Sequence, residues 1–188
     1  MAKQYPDIDA VQHEFILKQK IFFTATATAE SRVNVSPRPT DHFRILGSNR
    51  VIYLDLTGSG NETAAHTRID GRMTIMFCSF EGPPKILRLY GRGRIIRRDS
   101  AEYATLLADQ FGNSEPLGAR QMASLDIDLV QTSCGFGVPL FDYAGERPTL
   151  TRWAEAKEKD IGLDAYRRQK NQFSIDGLPT GLFEEPAE

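Results

Sequence analysis

Residues Arg32-Val33-Asn34-Val35-Ser36-Pro37-Arg38 and, one short strand later, Asp55-Leu56-Thr57-Gly58-Ser59-Gly60-Asn61-Glu62-Thr63 decide how this chain is read. The first stretch reads as an extended strand, Arg32 to Ser36, halted by Pro37 and Pro39. The second leaves a strand, passes through a glycine-rich loop of small hydroxyl residues and enters a short helix from Glu62 to Ile69. Backbone amides of a strand can meet the polar rim of a flat ring, while a loop and helix start can hold a phosphate. Together the two stretches suit a phosphorylated aromatic cofactor.

Working outward, Ile8, Val11, Phe15 and Ile16 recur at helical spacing and predict an amphipathic helix between Asp9 and Lys20. Ile21 to Thr28 is β-rich and turns at Ala29-Glu30-Ser31 into the strand at Arg32. Phe43 to Leu46 and Val51 to Leu56 flank Gly47-Ser48-Asn49, a hairpin signal. Met73 to Phe80 and Lys85 to Arg97 are the longest predicted strands, joined by Glu81-Gly82-Pro83-Pro84. Asp99 and Glu102 have capping-box spacing for a helix with Tyr103, Leu106, Leu107 and Phe111 on its apolar face. Ser124 to Thr132 reads as a strand, and Leu150 to Lys170 as a helix broken near Gly162. The expected architecture is mainly β (α+β), a six-stranded β-barrel with peripheral helices. One domain is expected over residues 1–176, with a loosely held tail over 177–188, rich in Pro, Gly and Glu.

The 188 residues suit one domain with a substantial core. A formal net charge of -2 argues against general nucleic-acid binding, which draws on an excess of Lys and Arg. No apolar run is long enough to span a bilayer, and Met1 to Asp7 lacks the apolar core of a signal peptide. The expected setting is cytoplasmic, without membrane contact. Cys78 and Cys134 are expected to be reduced and packed, and His13, His42 and His66 form no metal-binding cluster.

The segment Lys85 to Arg97 puts Leu87, Leu89, Gly91, Gly93 and Ile95 on one strand face and Arg88, Tyr90, Arg92 and Arg94 on the other. The basic face is either an ordinary solvated surface or a clamp for phosphate or carboxylate. Gly91-x-Gly93 is no dinucleotide fingerprint, since Ile96 stands where a third glycine belongs. The loop Thr57 to Asn61 lacks a following Gly-Lys and is no triphosphate P-loop; it is a flexible turn or an anion nest. Cys134, flanked by glycines, reads as a structural thiol at a strand end before it reads as a nucleophile. Trp153 reads as a core or interface anchor.

Val35-Ser36-Pro37-Arg38, Gly60-Asn61 and Leu87-Arg88-Leu89-Tyr90-Gly91-Arg92-Gly93, in this order between about Phe15 and Thr132, resemble the pyridoxamine 5'-phosphate oxidase-like, FMN-binding split-barrel proteins, in particular their uncharacterised branch. The resemblance implies a split-barrel homodimer with FMN in a groove between subunits. By that likeness Arg32, Val33, Asn34, Val35 and Ser36 run along the isoalloxazine edge, and Arg38 is a further cofactor-binding residue, a cation that with Arg88 and Arg92 could offset Glu62. Asp55, Thr57, Gly60, Asn61 and Thr63 surround the ribityl phosphate, and Arg88 and Arg92 face the groove.

The chain departs from that pattern at two points. Many FMN-binding members carry Arg-Arg or Arg-Lys where this chain has Glu62-Thr63, and it has no histidine after His66 to complete the late Arg-x-His of the true oxidases. Synthesis of pyridoxal phosphate is therefore disfavoured. The likeness implies an FMN-dependent oxidoreductase acting on a small organic substrate, with a nicotinamide as possible electron donor. The rival is a non-catalytic protein that binds a flavin- or haem-type ligand. No side chain stands out as a dedicated proton donor.

Overall fold

The computed structural model describes residues 2–184. Its elements in chain order are β1 (Lys3–Tyr5), α1 (Ala10–Lys18), β2 (Ile21–Thr26), β3 (Asn34–Pro39), β4 (Phe43–Gly47), β5 (Arg50–Leu56), α2 (Glu62–Ile69), β6 (Arg72–Cys78), β7 (Ile86–Arg97), α3 (Ala101–Phe111), β8 (Ala119–Ser133), α4 (Thr149–Asp160) and α5 (Leu163–Lys170). The sheet runs β3-β2-β6-β7-β8-β5-β4, with β1 paired to the far end of β8. Every pairing is antiparallel.

The sheet curls over without closing. Phe22 of β2 packs against Phe43 of β4, with ring centroids 5.0 Å apart, although these strands lie near opposite ends of the strand order. Only a strongly curled sheet brings such positions together. The enclosed core holds Phe22, Phe43, Tyr53, Ile75, Phe77, Leu87, Leu89 and Leu125. A second core, with Ile52, Leu54, Ile96 and Met122, lies on the outer side of β5, β7 and β8 under Tyr103 and Phe111 of α3.

Eight strands are present among the described residues, where six were expected. The three-residue β1 carries too little pattern to be seen in sequence. The 15-residue β8 begins at Ala119, well before the expected Ser124. Its first seven residues are all buried, so the inside–outside alternation that marks a strand is missing there. The strand β3 runs on through Pro37 to Pro39 instead of stopping. As the edge strand it needs no ladder hydrogen bond on its outer side, where prolines are tolerated.

Two glycines make room along β7, Gly91 for the backbone of β8 and Gly93 for the Met73 side chain of β6. The register shifts between Tyr90 and Gly91, which leaves Asp128 without a partner on β7. A Cβ on Gly91 would stand 1.9 Å from the Asp126 carbonyl oxygen, and one on Gly93 would stand 2.5 Å from Met73 Sδ.

Helix caps follow local chemistry. Asp9 and Gln12 form a reciprocal capping box on α1, which buries Gln12 and Ile16 while Val11 stays 65% exposed, outside its expected apolar face. Ser100 caps α3 in place of Asp99, whose carboxylate is held by Arg97 at 2.6 Å. Gly162, at φ +80°, separates α4 from α5. Beyond α5 the chain forms a compact arm: the amide of Ser174 donates to Leu178 O at 2.9 Å, and Thr180 Oγ1 to Asn171 O at 2.7 Å. The arm is thus hydrogen-bonded past Gly177, where a loose tail was expected; residues 185–188 of that tail lie outside the described residues.

Candidate functional site

Strand alternation sorts the expected cofactor residues into two groups on opposite faces. One cross-sheet row reads Val35, Ala25, Thr74, Tyr90, Leu129, and the next reads Pro37, Phe23, Met76, Arg88, Gln131. These side chains are exposed or half-buried and form an outer shelf, apolar and aromatic with Arg88 at its edge. Arg92 lies further along the same face, beside Arg72, and its guanidinium donates to Asp70 O. The free edge of β3 borders this shelf. Pro37 and Pro39 present their nitrogens away from β2, and Val35, of the same parity, directs its N–H and C=O the same way.

Asn34, Ser36 and Arg38 instead turn inward, in register with Thr26, Thr24 and Phe22, which are buried. Ser36 Oγ donates to Asn34 Oδ1 at 3.2 Å, and Thr26 Oγ1 lies 3.0 Å from Nδ1 of the buried His66. Arg38 stacks on the Tyr53 ring, 4.8 Å from its centroid, and donates to Asp55 at 2.5 Å.

Asp55 is the hub of this interior. Its second oxygen accepts from Arg120 Nε at 2.9 Å and Gln121 Nε2 at 2.7 Å. Burial opposes its charge, but Arg120 and Arg38 overcome that penalty and hold its pKa at about 2. Burial likewise raises the pKa of Tyr53, against the pull of Arg38. An acid so enclosed and doubly paired cannot also face a phosphate. It anchors the barrel.

The loop expected to cradle a phosphate is closed over by the C-terminal arm. Thr57 Oγ1 donates to Gly118 O at 2.8 Å and accepts from Arg167 Nε at 2.9 Å. Asn61 accepts from Gln121 at 2.8 Å and donates to Asn171 O at 3.4 Å. Thr63 is buried in α2, and the space above Gly60 is taken by the Glu62 carboxylate. That carboxylate accepts the amide of Ile175, and Arg32, two residues before β3 and so outside the strand expected to begin there, pairs with Asp176. Asp55, Thr57, Asn61 and Thr63 are therefore brought together, but around the protein's own chain.

Arg120, Gln121, Arg167 and Asn171 were missed by the sequence reading. Arg120 carried one usable signal: an arginine inside a continuously buried strand demands an acid partner. Cys78 is buried, with its thiol pKa raised by burial, whereas Cys134 is exposed just past β8 and is not the packed thiol expected. Trp153 packs edge-on against Tyr166, 4.9 Å between centroids, and joins α4 to α5.

A mainly antiparallel sheet curled into a half-barrel, with helices outside and a free edge strand beside an apolar shelf, defines a split-barrel protein. The chain belongs to the pyridoxamine 5'-phosphate oxidase family: the family model described as Pyridoxamine 5'-phosphate oxidase matches residues 8–134. The pyridoxamine 5'-phosphate oxidase family protein ustO of Aspergillus flavus is 38% identical over 190 residues, spanning 93% of this chain and 76% of that protein. Among solved structures, a single-residue variant of HupZ from Group A Streptococcus superposes with a TM-score of 0.55 at 18% identity, covering 67% of this chain and 99% of that one. A protein assigned to the pyridoxamine 5'-phosphate oxidases from Lactobacillus delbrueckii gives 0.52 at 16% identity, covering 67% and 94%. These two structures share the fold. No helix among the described residues is long and apolar enough to cross a membrane.

Proposed function

We propose that this protein is a homodimeric, FMN-binding oxidoreductase acting on a small organic substrate, with a nicotinamide as electron donor. The carrying observation is the shelf of Phe23, Met76 and Tyr90 beside the free edge of β3, an apolar surface bordered by the outward N–H and C=O of Val35 and the carbonyls of Pro37 and Pro39. Such a surface suits one face and the polar rim of a flavin ring. Arg88, at the rim of the shelf, takes the role of phosphate cation that Glu62 cannot fill. A bound flavin would supply the redox chemistry, and the chain would position it and exclude water.

Dimer formation would bury the shelf and the loop after β8, where Phe136, Leu140 and Phe141 are 82%, 73% and 59% exposed. This loop spans a groove of about 1910 Å³ above α1 and the segment between β6 and β7, large enough for a short segment of a second copy. The two free cysteines fit a reducing, cytoplasmic setting, without nucleic acid or membrane as partner. The arm that closes the phosphate loop favours one other reading, a protein that holds a flavin- or haem-type ligand without turnover.

The absorption spectrum of the protein as isolated, followed by titration with FMN and with haem, tests the proposal. A flavin spectrum bleached by NADH or NADPH and restored by air supports the oxidoreductase. Colour without reducible turnover supports the binder, and colourless protein that takes up neither FMN nor haem at micromolar concentration removes both.

A further inference from the structure

Two guanidiniums share a single buried carboxylate near the end of β5. Arg38 donates to one oxygen of Asp55 at 2.5 Å, and Arg120 to the other at 2.9 Å. The side chains of Asp55 and Arg120 are 1% and 3% accessible, and that of Arg38 is 18%. Among the described residues neither arginine pairs with a second acid. The cluster therefore carries one positive charge that no carboxylate answers, in a setting where an unanswered charge is costly.

Beside Arg38 a set of hydrogen-bonding groups is also left over. Arg38 Nε, Tyr53 Oη, Thr24 Oγ1 and Thr63 Oγ1 are buried, and among the described residues none of them has a hydrogen-bond partner. They come from four elements, β3, β5, β2 and α2, and meet around Tyr53. Arg38 stacks on the Tyr53 ring, 4.8 Å from its centroid, and Thr24 and Thr63 stand close to its hydroxyl. Burial pushes the pKa of that hydroxyl up, so it stays protonated and able to donate. One guanidinium N–H and three hydroxyls can all turn a hydrogen toward the same acceptor. His66, one turn beyond Thr63 in α2, leaves its Nε2 without a partner as well. Buried polar groups nearly always find partners, so a cluster of this kind marks a ligand.

The surplus charge and the surplus donors coincide. We infer that the space between Arg38, Tyr53, Thr24 and Thr63 is a binding site for a small inorganic anion of halide size, chloride in the first place. A monatomic anion accepts from several donors without a fixed geometry and neutralises the second guanidinium. Thr24, Tyr53 and Thr63 are each 3% accessible or less, which leaves no opening for an organic acid. An ordered water would satisfy the donors but leave the charge, so the charge separates the two occupants. The site lies on the inner face of the sheet, behind β3 and apart from the outer shelf.

Urea unfolding of the full chain in sodium chloride, bromide and gluconate at equal ionic strength tests this. Chloride and bromide raise the midpoint and saturate, because an anion bound only by the folded state stabilises it. Gluconate, too large to enter, gives only the screening common to all three salts. Tyr53→Phe keeps the packed ring and removes one donor, so it raises the half-saturating chloride concentration about tenfold. Arg38→Met abolishes the difference between halide and gluconate. Crystals of the wild type grown in bromide show an anomalous peak beside Tyr53 Oη, a readout that needs no variant. Equal midpoints in chloride and gluconate, a halide effect that survives both substitutions, or a water in place of bromide overturns the inference. The outcome does not depend on whether the outer shelf takes flavin.

Discussion

The Glu62 carboxylate accepts the backbone N–H of Ile175 with both oxygens, at 3.2 and 3.0 Å. The acid that stands where many FMN-binding relatives are expected to carry a cation is therefore the clasp of the C-terminal arm. A positive residue at this place would leave the Ile175 amide without its acceptor. The arm and the unusual acid explain one another.

Glu62→Ala should release that clasp. Loss of this charge-assisted but solvent-exposed hydrogen bond costs about 1 kcal/mol. The loss should be local, because the barrel core does not include the arm. Hydrogen exchange should show faster exchange at Ser174, Ile175, Leu178 and Thr180 with little change in β5 or β8. Unchanged protection of the arm would remove Glu62 from this role.

The interior ion cluster makes the protein acid-sensitive in a defined window. Asp55 has a folded-state pKa of about 2 against an ordinary 3.8, so its contribution is fully present above the ordinary value. It is lost as pH falls from about 4 toward 2, and the shift corresponds to about 2 kcal/mol. Glu102, also held at about 2 through its hydrogen bond to Arg94, is far more exposed and adds little. Urea midpoints measured from pH 7 to pH 2 should therefore drop over this window, and Asp55→Asn should flatten the drop. Arg120→Met should cost about 3–5 kcal/mol at neutral pH by leaving Asp55 short of a partner. A pH profile identical in wild type and Asp55→Asn would show that other carboxylates set the acid limit.

The barrel was legible because its strands alternate and its turns carry glycine and proline, as at Gly47-Ser48-Asn49 and Asp70-Gly71. The helix from Glu62 to Ile69 and the break at Gly162 were legible for the same local reasons. What was not legible depends on distant partners. The facing of Asn34 and Ser36 toward Thr26 and Thr24 is set by the register of β3 on β2, and a one-residue slip would reverse it. The burial of Thr57 and Asn61 is set by Arg167 and Asn171, more than a hundred residues on. A glycine-rich loop before a helix looks the same whether an anion or an arm of the chain completes it.

Gly91 and Gly47 separate steric need from local turn preference. A Cβ at Gly91 meets the Asp126 carbonyl at 1.9 Å, whereas one at Gly47 meets nothing within 4 Å. Gly91→Ala must push β7 off β8 at the bulge, at a cost of about 3 kcal/mol or more. Gly47→Ala should change stability by less than about 0.5 kcal/mol. Denaturant unfolding of both variants checks this, and similar midpoints would mean the β7–β8 crossing is looser than the geometry requires.

Arg88 and Arg98 offer the sharpest test of the shelf. Both are arginines of the same segment, but Arg88 stands in the outer row with Pro37, Phe23 and Met76, while Arg98 is clamped by Glu115 at 2.6 Å beside α3. A flavin phosphate held at the shelf gains a charge-assisted contact from Arg88 and none from Arg98. Arg88→Ala should therefore weaken FMN retention about tenfold, with Arg98→Ala close to wild type. Fluorescence titration of FMN against each variant reads this directly. The hydrogen bond from Arg88 to Ser133 is long, at 3.3 Å, so removal of Arg88 should leave the fold intact and the comparison clean. Equal retention by both variants would take the flavin off the shelf.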